Sequence, residues 1–172
     1  FLEYVESGIP RAQVFAKGNA KLPYWSWSTL PHFTCPGMGS CELTCYSLKA
    51  WRYPHALFRQ LQNTLLVREQ SPHIRKAARK LEGPVRLYVD GDFDSVATVS
   101  FWMSVLRDNP QIKAYGYSKS WKELLEFDEM SGSWWPENYV LNISTGSKHS
   151  EELRERVASL PIARGVFHYT DQ

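Results

Sequence analysis

The sequence predicts an α/β fold with an open, mostly parallel sheet of four to six strands or a partial (β/α) barrel. In its second half, short strand-like segments alternate with longer helical ones, which is typical of parallel strands joined by right-handed crossovers. The 172 residues suffice for one core but not for a complete eight-stranded barrel. We therefore expect one domain over residues 1–172. Its expected parts are an extended N-terminal segment, a cysteine loop with its helix, and the β/α units (residues 1–30, 31–52 and 53–172).

The N-terminal segment is predicted to contain a β-hairpin. Residues 12–17 and 22–29 are rich in apolar and aromatic side chains, which favours extended strands. Between them, Lys17-Gly-Asn-Ala-Lys21 has the composition of a turn.

The β/α units are assigned from apolar periodicity and from capping residues. A helix is predicted over residues 54–70, where Pro54 suits the first turn, and Ser71-Pro72 starts a second helix that Glu82-Gly83-Pro84 ends. Ser150 is the predicted N-cap of the last helix. The other predicted helices span residues 95–108, 121–130 and 151–160. The predicted parallel strands span residues 85–89, 112–117, 139–143 and 165–169.

Composition and charge exclude several classes of protein. The hydrophobic fraction of 43% and the charged fraction of 22% are those of a globular domain. A net charge of +2 is too small to indicate a nucleic-acid-binding protein by itself. No apolar run reaches the length of a membrane span, and no signal peptide is visible. We expect a cytoplasmic protein with reduced cysteines.

Three cysteines in one short stretch are the strongest indication of function. They are Cys35, Cys41 and Cys45, and there are no others, so a closed disulfide framework is excluded. Pro and Gly residues around Gly37 predict a tight loop, and a helix is predicted to begin at Glu42, which would put Cys41 and Cys45 on one helix face. Three convergent thiolates on an iron–sulfur cluster or a zinc ion leave one position open, which favours chemistry over a structural staple.

Other interpretations of the cysteines stay open. They include buried small hydrophobes, a redox thiol pair, and a zinc site completed by His32 or His55. An iron–sulfur site is favoured because burial alone does not explain the clustering. His149 and His168 are interpreted as a plain loop residue and a plain strand residue.

Polar residues gather where the predicted parallel strands end, and this edge is where such sheets bind ligands. The segments that follow the four strands are Asp90-Gly-Asp-Phe-Asp-Ser95, Ser118-Lys-Ser-Trp121, Ser144-Thr-Gly-Ser-Lys-His149 and Thr170-Asp171. The aspartates lack the Gly and Glu positions of an EF-hand loop, so a calcium loop is not favoured. Asp90 and Asp92 are candidates for binding an amine or a metal, and Lys119 for binding a carboxylate or phosphate.

Basic residues cluster in or beside the predicted second helix. They are Arg68, Arg75, Lys76, Arg79 and Lys80. A solvated helix face is the simpler interpretation. The alternative is a weak nucleic-acid contact through Arg75, Lys76, Arg79 and Lys80.

Three motifs, taken in order, resemble the gene product 88 family of phages and mobile elements. The first is Thr-Cys-Pro-Gly-(x3)-Cys-(x3)-Cys-Tyr-(x2)-Lys at residues 34–49. The second is Asp90-Gly-Asp-Phe, and the third is Tyr115-Gly-Tyr-Ser-Lys-Ser-Trp121. The resemblance spans about residues 20–172 and implies a phage or mobile-element protein.

A more distant resemblance is to radical S-adenosylmethionine enzymes. In that family a three-cysteine loop after the first barrel strand holds a 4Fe–4S cluster. The second strand ends in a Gly-Gly-Glu-like segment that binds the amino group of the methionine moiety, and Asp90-Gly91-Asp92 takes the equivalent place here. The resemblance implies contacts of Lys119 and Ser144 with the methionine carboxylate and the ribose. Cofactors so implied are a 4Fe–4S cluster and S-adenosylmethionine.

The sequence therefore predicts an iron–sulfur redox enzyme, radical S-adenosylmethionine-like or of another type. The predicted metal ligands are Cys35, Cys41 and Cys45, and the predicted cofactor contacts are Asp90, Gly91, Asp92, Lys119 and Ser144. The alternative is a non-enzymatic module, stapled by zinc or an iron–sulfur cluster, that binds nucleic acid or a partner protein.

Overall fold

A computed structural model describes residues 13–168 and shows a five-stranded, all-parallel sheet whose strand order follows the chain. The predicted α/β class and parallel sheet are confirmed. The strands are β1 (Trp25–Ser26), β2 (Gly83–Leu87), β3 (Ile112–Ser118), β4 (Tyr139–Ser144) and β5 (Ala163–Phe167). The helices are a 3-10 helix (Tyr46–Arg52), α1 (Pro54–Arg68), α2 (Pro72–Ala78), α3 (Val96–Arg107), α4 (Trp121–Met130) and α5 (Glu151–Ala158). The predictions for Ala12, Tyr169, Thr170 and Asp171 lie outside the described residues.

Capping side chains fix the starts of the helices. Ser95 Oγ accepts a hydrogen bond from the Thr98 backbone N–H at the start of α3, and Ser150 Oγ accepts one from Leu153 at the start of α5. Prolines occupy the first turns of α1 and α2, where their missing N–H groups cost nothing. None of the helices in residues 13–168 is both long and apolar enough to cross a membrane.

The predicted N-terminal hairpin is reduced to one antiparallel bridge between Ala16 and Ser26, whose backbone hydrogen bonds measure 2.8 and 3.0 Å. The turn between them is held by the Asn19 side chain, which accepts from the backbone N–H groups of Lys21 and Leu22. The second segment of the predicted hairpin joins the parallel sheet instead, where Ser26 is in register with Arg86 of β2.

The prediction of a helix that begins at Glu42 was wrong. Helical structure begins only at Tyr46 and is of the 3-10 type, and Cys45 before it is extended, with φ −61° and ψ 104°. Cys41 and Cys45 therefore do not share a helix face. The loop before Cys45 instead contacts the segment that follows β4, where the Ser40 N–H donates to the Gly146 carbonyl.

The two faces of the sheet differ in what they carry. Alternate strand residues pack into the core under the helices, among them Val85, Leu87, Ala114, Leu141 and Ile143. Right-handed crossovers between strands that are neighbours in both chain and sheet place all helices on this one face. On the other face, which we call the open face, Arg86, Tyr115, Tyr117, Val140 and Ser144 remain partly exposed. The architecture is thus an open, all-parallel five-stranded sheet with its helices on one face.

Candidate metal and cofactor site

The cysteine loop lies across the carboxyl ends of the central strands. The Asp92 N–H donates to the Thr34 carbonyl at 3.1 Å, which ties the loop to the end of β2. Beyond β4, the Lys148 N–H and the Ser147 hydroxyl both donate to the Gly37 carbonyl, at 3.2 and 2.9 Å. Backbone hydrogen bonds therefore hold this loop on the strand ends.

Close backbone approach explains two glycines of the site. A Cβ atom on Gly37 would lie 1.7 Å from the Lys119 carbonyl oxygen, so only glycine lets the loop rest on the end of β3. Gly91 has a φ of +78°, and a Cβ there would lie 2.0 Å from the Thr29 hydroxyl. The predicted cofactor contact Gly91 therefore has a structural requirement of its own.

A cavity of about 410 Å³ opens between the cysteine loop and the carboxyl ends of the strands. Most of the residues singled out in the sequence line it: Cys35, Cys41, Cys45, Gly91, Asp92, Lys119 and Ser144. The fold thus collects at one edge side chains from four separate segments, as expected for the carboxyl ends of parallel strands.

The three cysteines are free thiols, all of them partly buried. The Lys119 ammonium donates to Cys41 Sγ at 3.3 Å. Burial, followed by the negative charge of Asp92, raises the pKa of the Cys35 thiol to about 12. Among the described residues, no group of three or more His, Cys, Asp or Glu side chains is arranged to hold a single metal ion.

Asp92 is fully buried, and its carboxylate accepts hydrogen bonds from the protein itself. Oδ1 accepts from the Phe93 N–H at 2.8 Å and the Ser118 hydroxyl at 2.7 Å, and Oδ2 accepts from the Lys119 N–H at 2.7 Å. Burial raises the pKa of Asp92 to about 6, and the hydrogen bonds oppose that rise. Asp92 therefore joins the ends of β2 and β3 and positions Lys119. The carboxylate oxygens therefore already accept hydrogen bonds from the protein at the position where an amine was predicted to bind.

Asp90 lies behind the cavity and does not line it. Its Oδ2 accepts from the Gln60 amide at 3.0 Å, and the Gln60 carbonyl oxygen accepts from the Trp51 indole at 2.9 Å. Burial raises the pKa of Asp90, against hydrogen bonds that include one from Ser47. Asp90 thereby connects the 3-10 helix and α1 to the end of β2.

Sequence reasoning missed several residues of the cavity wall. Arg86, Tyr117, Phe167 and His168 line it together with Met38. Strand alternation could have identified the first two, because Arg86 and Tyr117 fall on the face opposite the core residues of β2 and β3. The alternative zinc ligands His32 and His55 do not line this cavity, whereas His168 does.

The basic cluster is partly engaged in structural contacts. Arg75 donates to the Ser104 hydroxyl at 2.7 Å and pairs with Asp108 at 3.2 Å, and Arg68 pairs with Asp94 at 2.6 Å. Lys76, Arg79 and Lys80 remain exposed. Phosphate binding by this basic cluster stays a prediction. Arg75 is held by its contacts with Ser104 of α3 and with Asp108.

A search of protein families found one match, to a family described as gene product 88, over residues 7–165. No curated protein and no solved structure matched the chain.

Substituting Gly37→Ala tests the docking of the cysteine loop. The added Cβ meets the rigid backbone of Lys119, so we expect about 1–3 kcal/mol loss in the free energy of unfolding from overpacking. Urea unfolding of Gly165→Ala is the control, because its nearest neighbour, a Phe167 ring atom, is 3.8 Å away. Equal stability of the two variants would contradict this docking.

The pH dependence of stability tests the burial of Asp92. Between pH 3.8 and about 6 the folded protein holds a proton that the unfolded chain has released. The Asp92 contribution to the free energy of unfolding is therefore complete below this window and is lost as the pH rises through it. From about pH 4 to about pH 7, wild type should lose roughly 2 kcal/mol relative to Asp92→Asn. Denaturant titrations that give a pH-independent difference between the two proteins would refute this.

Proposed function

The chain belongs to the gene product 88 family, and we propose that it binds an iron–sulfur cluster through Cys35, Cys41 and Cys45. The observation that carries this proposal is that the chain's only three cysteines come from one loop and line one cavity. Thiolate sulfur is the ligand that iron–sulfur clusters use. The cavity also lies at the edge of the sheet where (β/α) folds carry their chemistry.

The arrangement of the thiols favours a cluster over a single zinc ion. A structural zinc ion needs a fourth ligand beside the three thiols, and neither His32 nor His55 lines this cavity. An iron–sulfur cluster held by three thiolates leaves one iron without a protein ligand. The loop is also held by backbone hydrogen bonds at Thr34, Gly37 and Ser40, so it needs no metal as a staple.

The cavity walls suit an anionic, redox-active group. When bound, an iron–sulfur cluster supplies one-electron chemistry and, at an iron without a protein ligand, a binding position for a small molecule. Lys119 places a cation beside Cys41, which complements the negative charge of a thiolate-ligated cluster. Met38, Tyr117 and Phe167 supply apolar surface in the cavity wall.

We further propose that the small molecule is S-adenosylmethionine and that the protein is a radical S-adenosylmethionine-like enzyme of a phage or mobile element. The supporting geometry is the position of Lys119 and Ser144 at the ends of adjacent strands, both lining the cysteine cavity. The Lys119 ammonium suits a methionine carboxylate, and the Ser144 hydroxyl suits a ribose. Asp92 contributes by holding the Lys119 backbone.

The cluster is tested by anaerobic reconstitution. We expect about four irons and about four acid-labile sulfides per chain. Each of Cys35→Ala, Cys41→Ala and Cys45→Ala should lower both values, because no other cysteine can replace the lost ligand. Stoichiometric zinc without sulfide in the reconstituted protein would refute the cluster and leave the non-enzymatic, zinc-stapled module as the better hypothesis.

S-adenosylmethionine binding is tested by calorimetry on the reconstituted protein. Lys119→Ala should weaken binding about tenfold, since a charge-assisted hydrogen bond contributes roughly 1.5–3 kcal/mol, while iron content stays unchanged. Lys122→Ala is the matched control, because this lysine lies exposed on α4. Wild-type protein with a full cluster and no measurable binding would leave a cluster protein without S-adenosylmethionine chemistry.

A further inference from the structure

A continuous row of aromatic rings crosses the open face of the sheet. Tyr24 lies 6.1 Å from Tyr115, Tyr115 lies 6.4 Å from Tyr117, and Tyr117 lies 5.3 Å from Phe167, between ring centroids. We call this row the aromatic trough. Its rings are partly exposed although parallel strands usually carry aliphatic residues on both faces, so the row is unusual for such a sheet.

Cationic side chains accompany the rings of the aromatic trough. The Arg86 guanidinium lies 5.1 Å from the Tyr117 ring, and the Arg164 guanidinium lies 5.6 Å from the Phe167 ring. Arg86 Nε is buried and has no hydrogen-bond partner in the described part of the chain. The fully buried Asn142 on the same face donates to the Gly116 carbonyl, and its Oδ1 likewise lacks a partner there.

The aromatic trough joins two cavities at opposite ends of the sheet. A second cavity, of about 870 Å³, lies at the amino ends of β3 and β4, and Tyr115, Arg107, Lys113 and Arg164 line it. Arg86, the neighbour of Tyr115 on β2, lines the cysteine cavity at the other end. The trough itself consists of four rings whose successive centroids lie 5.3 to 6.4 Å apart.

The two cavities that the aromatic trough joins are lined mostly by cations. They are lined by the cations Arg86, Arg107, Lys113, Lys119 and Arg164, and by the carboxylates of Asp92 and Glu137. Positive side chains thus outnumber carboxylates in both cavities, and two of them, Arg86 and Arg164, lie beside rings of the aromatic trough.

We propose that the aromatic trough binds single-stranded nucleic acid. Exposed aromatic rings accept bases of any sequence by stacking, and arginines and lysines along a groove neutralise the phosphates. A row of four rings flanked by two arginines offers stacking and phosphate contacts to a few consecutive nucleotides. The outer face of α2 offers the cations Lys76, Arg79 and Lys80 without a comparable row of rings, so it is the weaker candidate. This proposal does not depend on the cluster.

Fluorescence anisotropy with a labelled single-stranded oligonucleotide of about ten nucleotides tests the proposal on the full chain. Affinity should fall with salt, with a log–log slope of about −0.7 for each phosphate contact. Tyr115→Ala should weaken binding about tenfold or more, and Tyr115→Phe should retain it because the ring remains. Arg164→Ala should reduce the salt slope by about 0.7. A variant with Lys76→Ala, Arg79→Ala and Lys80→Ala together is the control and should bind like wild type.

Four results would overturn the proposal. They are the absence of saturable binding, equal affinity for inorganic polyphosphate with no effect of Tyr115→Ala, loss of binding in the α2 control alone, and self-association that Tyr115→Ala abolishes. The third result would assign nucleic acid to α2, and the fourth would assign the trough to a second copy of the chain. Circular dichroism of each variant separates these results from misfolding.

Discussion

The buried carboxylate of Asp92 is the constraint on which the geometry of the site depends. It takes hydrogen bonds from the end of β3 through Ser118 and Lys119, and its own N–H donates to Thr34 of the cysteine loop. Lys119, once fixed, offers its backbone as the surface on which Gly37 rests and its ammonium to Cys41. Removing a carboxylate from water is costly, and three protein donors offset part of that cost. One charged group thus couples two strand ends, a cation and the loop that carries the thiols.

Strand order explains why this sheet has a face available for binding. When parallel strands follow one another in both sequence and space, right-handed crossovers place all helices on one side. The strand residues reflect this asymmetry, because β3 alternates Ile112, Ala114 and Gly116 with Lys113, Tyr115 and Tyr117. A fully covered parallel strand would be a continuous apolar run. The open face therefore leads, along polar and aromatic side chains, from the amino ends of the strands to the cysteine cavity.

The fold was predictable from the sequence because its determinants are local. Periodicity and the caps at Ser95 and Ser150 locate α3 to α5 within two residues of the predicted ends, and Gly and Pro residues mark the breaks between them. The carboxyl-end rule then predicted that the segments after the strands would share one edge, and Gly91, Asp92, Lys119 and Ser144, but not Asp90, line one cavity with the cysteines.

The role of each side chain was less predictable because it depends on partners distant in sequence. Asp92 is as acidic as Asp90 in the sequence, and only the fold shows that it accepts from Ser118 and Lys119. The helix predicted from Glu42 failed for the same reason. The chain at Ser40 instead bonds to Gly146, a residue that lies 106 positions further along the sequence.

The docking of the loop also accounts for the wide spacing of its cysteines. Five residues separate Cys35 from Cys41. Those five residues include Gly37, which rests on Lys119, and Ser40, which bonds to Gly146 beyond β4. The five-residue spacing thus contains the loop's contacts with both strand ends.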